Sequence, residues 1–376
     1  MQSGERFDTI VVGGGNAGLA AGYYLRQRGV DFVILDGGER VGDSWRRRWD
    51  SLRLFTTARY SALPAMRLPI PPAGQATKDE MADYLEAYVE RFDLPARTGV
   101  RVDQLERRDG RFVLTAGEHE FEAANVIVAT GTHRDALVPS FSRELDPSIR
   151  QLHSSEYRNP SQLRDGGVLV VGAGNSGADI AIELVKGRST WLSGPDTGHI
   201  PFNVDRWVAR HIAFHVVRFV GVHVLTIHTP MGRRVRASQK KGDPLVRVKP
   251  RWLEAAGVER VPRTVGAVDG RPQLEDGRVL DVQNVVWCTG FRKDLSWIRL
   301  PIFDERGEVR HEVGLAVDEP GLAFVGLPFQ YSFASEVLPG MNRDARRVVQ
   351  RLHGRSSSSA ARTPIVSAAV RSPGTP

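Results

Sequence analysis

Two glycine-rich turns of one pattern, far apart in a single chain, constrain its fold more than any other feature. The first follows the apolar run Asp8-Thr9-Ile10-Val11-Val12 and reads Gly13-Gly14-Gly15-Asn16-Ala17-Gly18. The second follows Val168-Leu169-Val170-Val171 and reads Gly172-Ala173-Gly174-Asn175-Ser176-Gly177. Each is a strand-length apolar run, a G-x-G-x-x-G turn and a helix-forming stretch, the order a βαβ unit requires. In such a turn the first glycine makes the bend, the second lets backbone approach a pyrophosphate, and the third lets the helix pack on the strand. The phosphates then sit at the helix N-terminus, where unpaired N–H groups and the dipole favour negative charge. One copy implies one dinucleotide. Two imply electron transfer between a pair of them.

The surroundings of the two copies differ. After Gly18 come a helical stretch over 19–27, a stop at Gly29 and a strand over 31–35 that ends in Asp36. That carboxylate stands where a ribose hydroxyl needs an acceptor. In the second copy a helix over 178–185 leads through Lys186-Gly187-Arg188 to a strand over 189–192, which ends in Ser193-Gly194-Pro195 and not in an acid. An acid there would repel a 2′-phosphate, whereas a hydroxyl with nearby cations accepts one. Ser193, with Arg188 and Lys186, therefore points to NADPH in preference to NADH.

A chain of 376 residues, 41% hydrophobic and 25% charged, has the size and balance of a soluble protein of two domains. Cys288 is the single cysteine, which excludes an internal disulfide, a Cys-x-x-Cys redox pair and a cysteine metal cluster. The first strand begins within a few residues of Met1, so no signal peptide is visible and a cytoplasmic location is expected. Beyond the two nucleotide units the pattern predicts a helix over 78–91, short strands near 100–102 and 112–114, apolar strands over 125–129, 285–289 and 322–325, and a helix over 342–352. Residues 354–376, with Ser356-Ser357-Ser358-Ser359 and no periodicity, are expected to be disordered.

The net charge of +7 is unevenly placed. Between Pro230 and Arg251 stand Arg233, Arg234, Arg236, Lys240, Lys241, Arg247, Lys249 and Arg251 against Asp243 alone. No aromatic ladder or DNA-reading motif accompanies them, so nucleic acid is not expected as a partner. The apolar stretch just before, 207–229, contains Arg210 and Arg218 and is too costly to span a bilayer. A peripheral membrane contact through 207–251, and a substrate-side or subunit-contact helix, are the readings these residues leave open. His211 and His215 have metal-ligand spacing but no third ligand or Glu base, so no metal is expected.

Taken together, Gly13–Gly18 with Asp36, Gly42-Asp43-Ser44-Trp45, Ala129-Thr130-Gly131, Gly172–Gly177 and Cys288-Thr289-Gly290-Phe291 resemble, in this order, the flavin-containing monooxygenase-like flavoproteins. The likeness runs from about residue 8 to 352 and is nearest to a bacterial subgroup labelled as flavoproteins of potassium or metal-ion transport. It implies an α/β fold of two Rossmann-like dinucleotide-binding domains, the NAD(P)-binding domain being inserted into the FAD-binding domain. The implied limits are 1–158 for the first part of the FAD domain, 159–285 for the NAD(P)H domain, 286–353 for the second FAD part, and 354–376 for the tail.

By the same likeness Gly13, Gly15, Asn16, Ala17, Gly18 and Asp36 hold the adenylate half of FAD, and Val102 meets the adenine through its backbone. Ser44 and Trp45 lie along the ribityl chain and flavin. Gly172, Gly174, Asn175, Ser176, Gly177 and Ser193 hold NADPH. Ala129-Thr130-Gly131 and Thr289-Gly290 are the crossovers between domains, and the segment from Gly326 to Asp344 caps the flavin. The family's F-x-G-x-x-x-H-x-x-x-Y signature is half present: His153 and Tyr157 fit, while Pro147 and Ile149 stand at the Phe and Gly positions. Phe55 stands where many members place an Asn near the flavin.

The implied activity is transfer of hydride from NADPH to FAD, then monooxygenation of a small substrate with dioxygen through a C4a-hydroperoxyflavin. No catalytic side chain is assigned, because the cofactor carries the chemistry. Two alternatives stay open. One is an NAD(P)H oxidase or reductase without oxygen transfer. The other is a flavin- and nucleotide-binding redox regulator of a membrane transporter.

Overall fold

The computed structural model describes residues 4–131, 135–200, 214–238, 244–292 and 294–354. Its largest element is a nine-stranded sheet with Glu5–Val12 at its centre. That strand runs parallel to Phe32–Leu35 on one side and to His119–Val128 on the other. Ala96–Arg97 extends the sheet beyond Phe32–Leu35. The far edge of His119–Val128 is shared, since its N-terminal half pairs antiparallel with Arg111–Ala116 and its C-terminal half parallel with Leu322–Phe324. No strand forms at 100–102; those residues run as a connector to Gln104–Arg108.

Both faces of this sheet are covered, which explains why its central strand reads as an unbroken apolar run instead of an alternation. Val11, Ile34 and Ile127 point to the face packed by the helices Asn16–Arg26, Lys78–Phe92 and Leu338–Leu352. Ile10, Val12, Val33, Val126 and Val128 point to the other face, against Leu105, Phe112, Leu114 and Ile298. Each such fully buried side chain contributes about 1.5–3 kcal/mol. Lys78–Phe92 is held at its start by a capping box, in which Thr77 Oγ1 accepts from Glu80 N–H at 3.1 Å and Glu80 Oε2 accepts from Thr77 N–H at 2.8 Å.

The second sheet has five strands, all parallel, in the order Glu259–Val261, Thr190–Ser193, Val168–Val171, Asn284–Trp287, Arg150–His153. The expected limits at 158/159 and 285/286 thus fall after one of its strands and inside another. The chain passes from one sheet to the other between His119–Val128 and Arg150–His153, and returns after Asn284–Trp287. Asp135–Ala136 and Phe291–Arg292, one from each crossing, pair antiparallel and tie the two passages together. The expected tail lies beyond Gly354, outside the described residues. No helix among the described residues is long and apolar enough to cross a membrane.

Candidate functional site

In both sheets the central strand delivers its glycine turn to the C-terminal edge, where open α/β sheets bind ligands. The two turns are near copies in three dimensions. Gly13 and Gly172 both have φ of +110°, a left-handed conformation that disfavours any side chain. A Cβ on Gly13 would lie 2.5 Å from the Ala129 carbonyl oxygen, and one on Gly172 would run into that of Cys288. A Cβ on Gly18 would strike the Gly13 carbonyl, and one on Gly177 the Gly172 carbonyl, so these positions fix the helix against its turn.

Gly15 and Gly174 are different. A Cβ at either meets nothing within 4 Å. Each is the N-cap of its helix, and neither helix has a capping side chain, unlike Lys78–Phe92. Two helix starts are therefore left open where an anion needs backbone N–H groups and close approach. The pattern of closed, open and closed glycines fits a diphosphate at both turns.

The first turn is completed by Asp36. Its Oδ1 accepts from Gly38 N–H at 2.7 Å and its Oδ2 accepts from Gly14 N–H, which holds the carboxylate beside the turn. Asn16, buried in the helix start, accepts a hydrogen bond from Trp45 Nε1 at 3.0 Å, while its Nδ2 is buried with no partner. Ser44, in the short helix Asp43–Arg46, is exposed. Val102 is buried just after the segment whose Val100 N–H donates to the Asp36 carbonyl. Across the turn, Gly326 has φ of +94°, and a Cβ there would lie 4.0 Å from both Ala17 and Met341. Next to Met341, Asn342 donates to the Ala62 carbonyl at 2.8 Å but leaves its buried Oδ1 unpartnered. An orphan donor on Asn16 and an orphan acceptor on Asn342 thus flank the Ala17–Gly326–Met341 junction. Such groups suit a ligand with an alternating polar edge, as a flavin has.

The structure corrects the placement of two features here. The closing helix begins at Leu338, with Pro339 in its first turn, and not at 342. Asp344 therefore lies well inside that helix, fully buried, its Oδ1 accepting from Arg343 Nε at 3.1 Å and its Oδ2 without a partner.

The second turn is completed differently from the sequence expectation. Asn175 clasps the loop after residue 243, donating to the Pro244 carbonyl at 3.1 Å and accepting from Val246 N–H at 2.8 Å. Ser176 is partly buried in the first turn of the helix Asn175–Leu184. Ser193 is fully buried and its hydroxyl is already committed, donating to the Pro262 carbonyl at 2.9 Å and accepting from Thr264 N–H at 2.8 Å. Arg188 donates to the Arg164 and Pro160 carbonyls at 2.7 and 3.3 Å, at the end where Thr190–Ser193 begins. Lys186 precedes it in the chain. Both cations lie at the N-terminal end of the strand, away from the turn. Arg260 lies nearer the turn. It pairs in register with Leu192, and its Nη2 donates to the Gly194 carbonyl at 3.0 Å, at the edge the turn occupies. Nothing in the sequence marks Arg260, because its position depends on which strand lies beside Thr190–Ser193.

Between the sheets, Ala129 N–H donates to the Val12 carbonyl at 2.8 Å, and the backbone of Ala129 and Thr130 lies against Gly13, with Gly131 next in the chain. In the second crossing Thr289 donates to the Leu137 carbonyl, and the Gly290 carbonyl accepts from Leu137 N–H at 3.0 Å. His153 also reaches Gly290, with Nε2 3.0 Å from the carbonyl oxygen; this makes Nε2 the donor and leaves Nδ1 to accept from Ser155 N–H at 3.2 Å. Burial holds the His153 pKa below its ordinary value, so the ring is neutral. Tyr157, fully buried, donates to Glu183 Oε2 at 2.7 Å. His153 is thus a latch between the crossings and Tyr157 a buried anchor.

The sequence profile of the pyridine nucleotide-disulphide oxidoreductases matches residues 10–197, which take in both turns. A CzcO-like oxidoreductase of Geobacillus kaustophilus is 39% identical over 91% of this chain and 97% of its own length. The flavin-containing monooxygenase of Stenotrophomonas maltophilia superposes with a TM-score of 0.72 at 28% identity, covering 93% of this chain and 98% of that one. A probable indole-3-pyruvate monooxygenase of Arabidopsis thaliana, YUCCA9, is 26% identical over 77% of this chain and 76% of its own length. The chain belongs to the flavin-containing monooxygenase-like oxidoreductases. As a member it is an enzyme, and one without the dithiol chemistry in the profile's description. Burial pushes the thiol of Cys288, its single cysteine, up to about 12, so it is neutral and has no partner for exchange. Among the described residues no group of three His, Cys, Asp or Glu side chains is placed to hold a metal ion.

Proposed function

We propose that this flavoenzyme takes hydride from NADPH and oxygenates a small organic substrate with dioxygen. FAD is assigned to the turn Gly13–Gly18 and NADPH to the turn Gly172–Gly177. The observation that carries the reading is the pair of cradles, each closed at two glycines and open at the third. FAD, once bound, supplies hydride acceptance and the activation of dioxygen.

The protein's own part is to bind, orient and exclude. Asp36, held by two backbone N–H groups, presents its remaining lone pairs to a ribose. Asn16 and Trp45 form one hydrogen-bonded unit beside the first turn, which supports their assignment to the flavin side. Arg260 favours NADPH over NADH by placing a cation at the end of a strand that carries no acid. The crossings held by His153, Thr289 and Gly290 set how one cradle faces the other.

A second reading, an NAD(P)H oxidase without oxygen transfer, is favoured by Phe55. This residue is 37% exposed, and its backbone carbonyl, not a side-chain amide, takes the hydrogen bond from Gln75 at 3.1 Å. Anaerobic reduction with NADPH followed by mixing with dioxygen separates the two. Slow reoxidation in the presence of NADP⁺, with peroxide released only at that slow rate while no substrate is present, is expected of the oxygenase. Immediate reoxidation with stoichiometric peroxide would refute it.

A further inference from the structure

Among the described residues, four of the most exposed large apolar side chains fall within one short stretch. They are Val216 at 57%, Val217 at 45%, Phe219 at 59% and Met231 at 55%. The helices Phe214–Phe219 and Pro230–Ser238 that carry them also present Arg218, Arg233, Arg234 and Arg236 to solvent. From Arg206 to Gly242 the sequence contains no Asp or Glu. Solvated basic faces are common, but they do not need exposed valine, phenylalanine and methionine among the arginines.

The inner side of the stretch is fastened to the body. His215 bonds Tyr60 Oη, and the Arg218 guanidinium lies 5.1 Å from the centre of the same ring. Ile227 N–H donates to the Tyr331 carbonyl at 3.0 Å, Phe333 N–H to the Leu225 carbonyl at 2.9 Å, and Arg343 Nη1 to the Val222 carbonyl at 2.6 Å. With that side anchored, Val216 and Val217 occupy the arc of their helix turned away from Tyr60, while Phe219, one turn on from His215, stands exposed at its flank.

We propose that this stretch docks on an anionic membrane surface. Apolar side chains that enter the headgroup boundary, with arginines that reach back to lipid phosphates, are the two contributions an interfacial helix combines. The charge argues for this occupant over a second copy of the chain. A two-fold interface would set these arginines against their own duplicates, with no acid in the segment to offset them. The apolar groups argue against single-stranded nucleic acid, which binds through cations interleaved with stacking aromatics, whereas three of the four here are aliphatic. Docking would bring the segment 331–343, which packs on the stretch, close to the bilayer.

The test uses the FAD-loaded full chain and vesicles of phosphatidylcholine, alone or mixed with phosphatidylglycerol. The protein should float with the mixed vesicles, should not float with phosphatidylcholine alone, and should be released by high salt. Phe219→Glu with Val216→Glu should weaken the partitioning by at least about tenfold. Arg233→Glu with Arg234→Glu should weaken it by about a hundredfold. All four residues are exposed, so FAD content and melting temperature should match the wild type and separate lost docking from lost folding. Absence of flotation overturns the proposal, as do equal binding to neutral vesicles and wild-type binding by both variants. A lipid-free dimer that Phe219→Glu dissociates would identify a second copy as the occupant and overturn it too. The assay reads binding and not turnover, so its outcome is independent of the oxygenase reading.

Discussion

Gly174→Ala isolates the ligand's part in the second turn from the fold's. Gly174 has φ of −75° and ψ of −171°, an extended conformation open to any residue, and the added methyl would meet no atom within 4 Å. The helix start loses some stability, because Ala is a poorer N-cap than Gly, and the reduced freedom of the unfolded chain offsets part of it. The stability change should therefore stay within about 1 kcal/mol. For a dinucleotide the change is severe, because the methyl occupies the space through which backbone N–H groups reach the diphosphate. Loss of two charge-assisted hydrogen bonds at about 1.5–3 kcal/mol each removes about 3–6 kcal/mol, a weakening of about 10²- to 10⁴-fold. Anaerobic stopped-flow measures it directly, from the rate of flavin bleaching against NADPH concentration. FAD content should be that of the wild type, since the first turn is untouched. An unchanged NADPH dependence, or a variant that loses FAD and keeps NADPH affinity, would refute the assignment of the two cradles.

Gly177→Ala should behave in the opposite way: its Cβ would strike the Gly172 carbonyl, so thermal melting should show destabilisation above about 4 kcal/mol, and a melt like that of the wild type would contradict the packing role. Arg260→Ala should raise the Michaelis constant for NADPH by about tenfold while sparing NADH, and an unchanged ratio of the two would remove Arg260 from 2′-phosphate recognition. Ser193→Ala should cost about 1–3 kcal/mol of stability, because it strips buried partners from Pro262 and Thr264, yet leave the coenzyme preference alone; a switch toward NADH would restore the residue as a phosphate ligand. Burial lowers the His153 pKa from the ordinary 6.5, so unfolding takes up a proton there. Its stabilising contribution is complete above about pH 6.5 and is lost as pH falls through the folded-state value. Melting curves of wild type and His153→Gln should converge as pH falls, and parallel curves would show that His153 is not a buried neutral ring.

Legibility in the sequence followed how local each interaction is. The turns Gly13–Gly18 and Gly172–Gly177 were readable because strand, bend and helix start lie within a dozen residues, and each glycine answers a backbone demand made by its neighbours. The helix limits were less so. Asn16–Arg26 and Asn175–Leu184 start inside their turns, since the last glycine of each motif is already helical. Leu338–Leu352 starts before Asn342 because Pro339 and Gly340, which look like breakers, sit in a first turn where a missing N–H costs nothing and where Gly340 lies against the Ala334 carbonyl. The membership of Arg150–His153 in the second sheet was not legible, because a parallel edge strand is recruited across the whole crossing.

The chain's order of residues, taken alone, decided that there would be two glycine cradles, that the strand after one ends in Asp36 and the strand after the other in Ser193, and that no thiol pair takes part. These are matters of backbone conformation and of which groups exist. Folding decided which groups meet: that Ser193 turns inward, that Arg188 sits at the end of its strand far from the turn, and that Arg260 reaches Gly194 from a neighbouring strand. Side-chain partners across a parallel sheet are set by strand order and register, and these are settled only when both faces of the sheet are buried together.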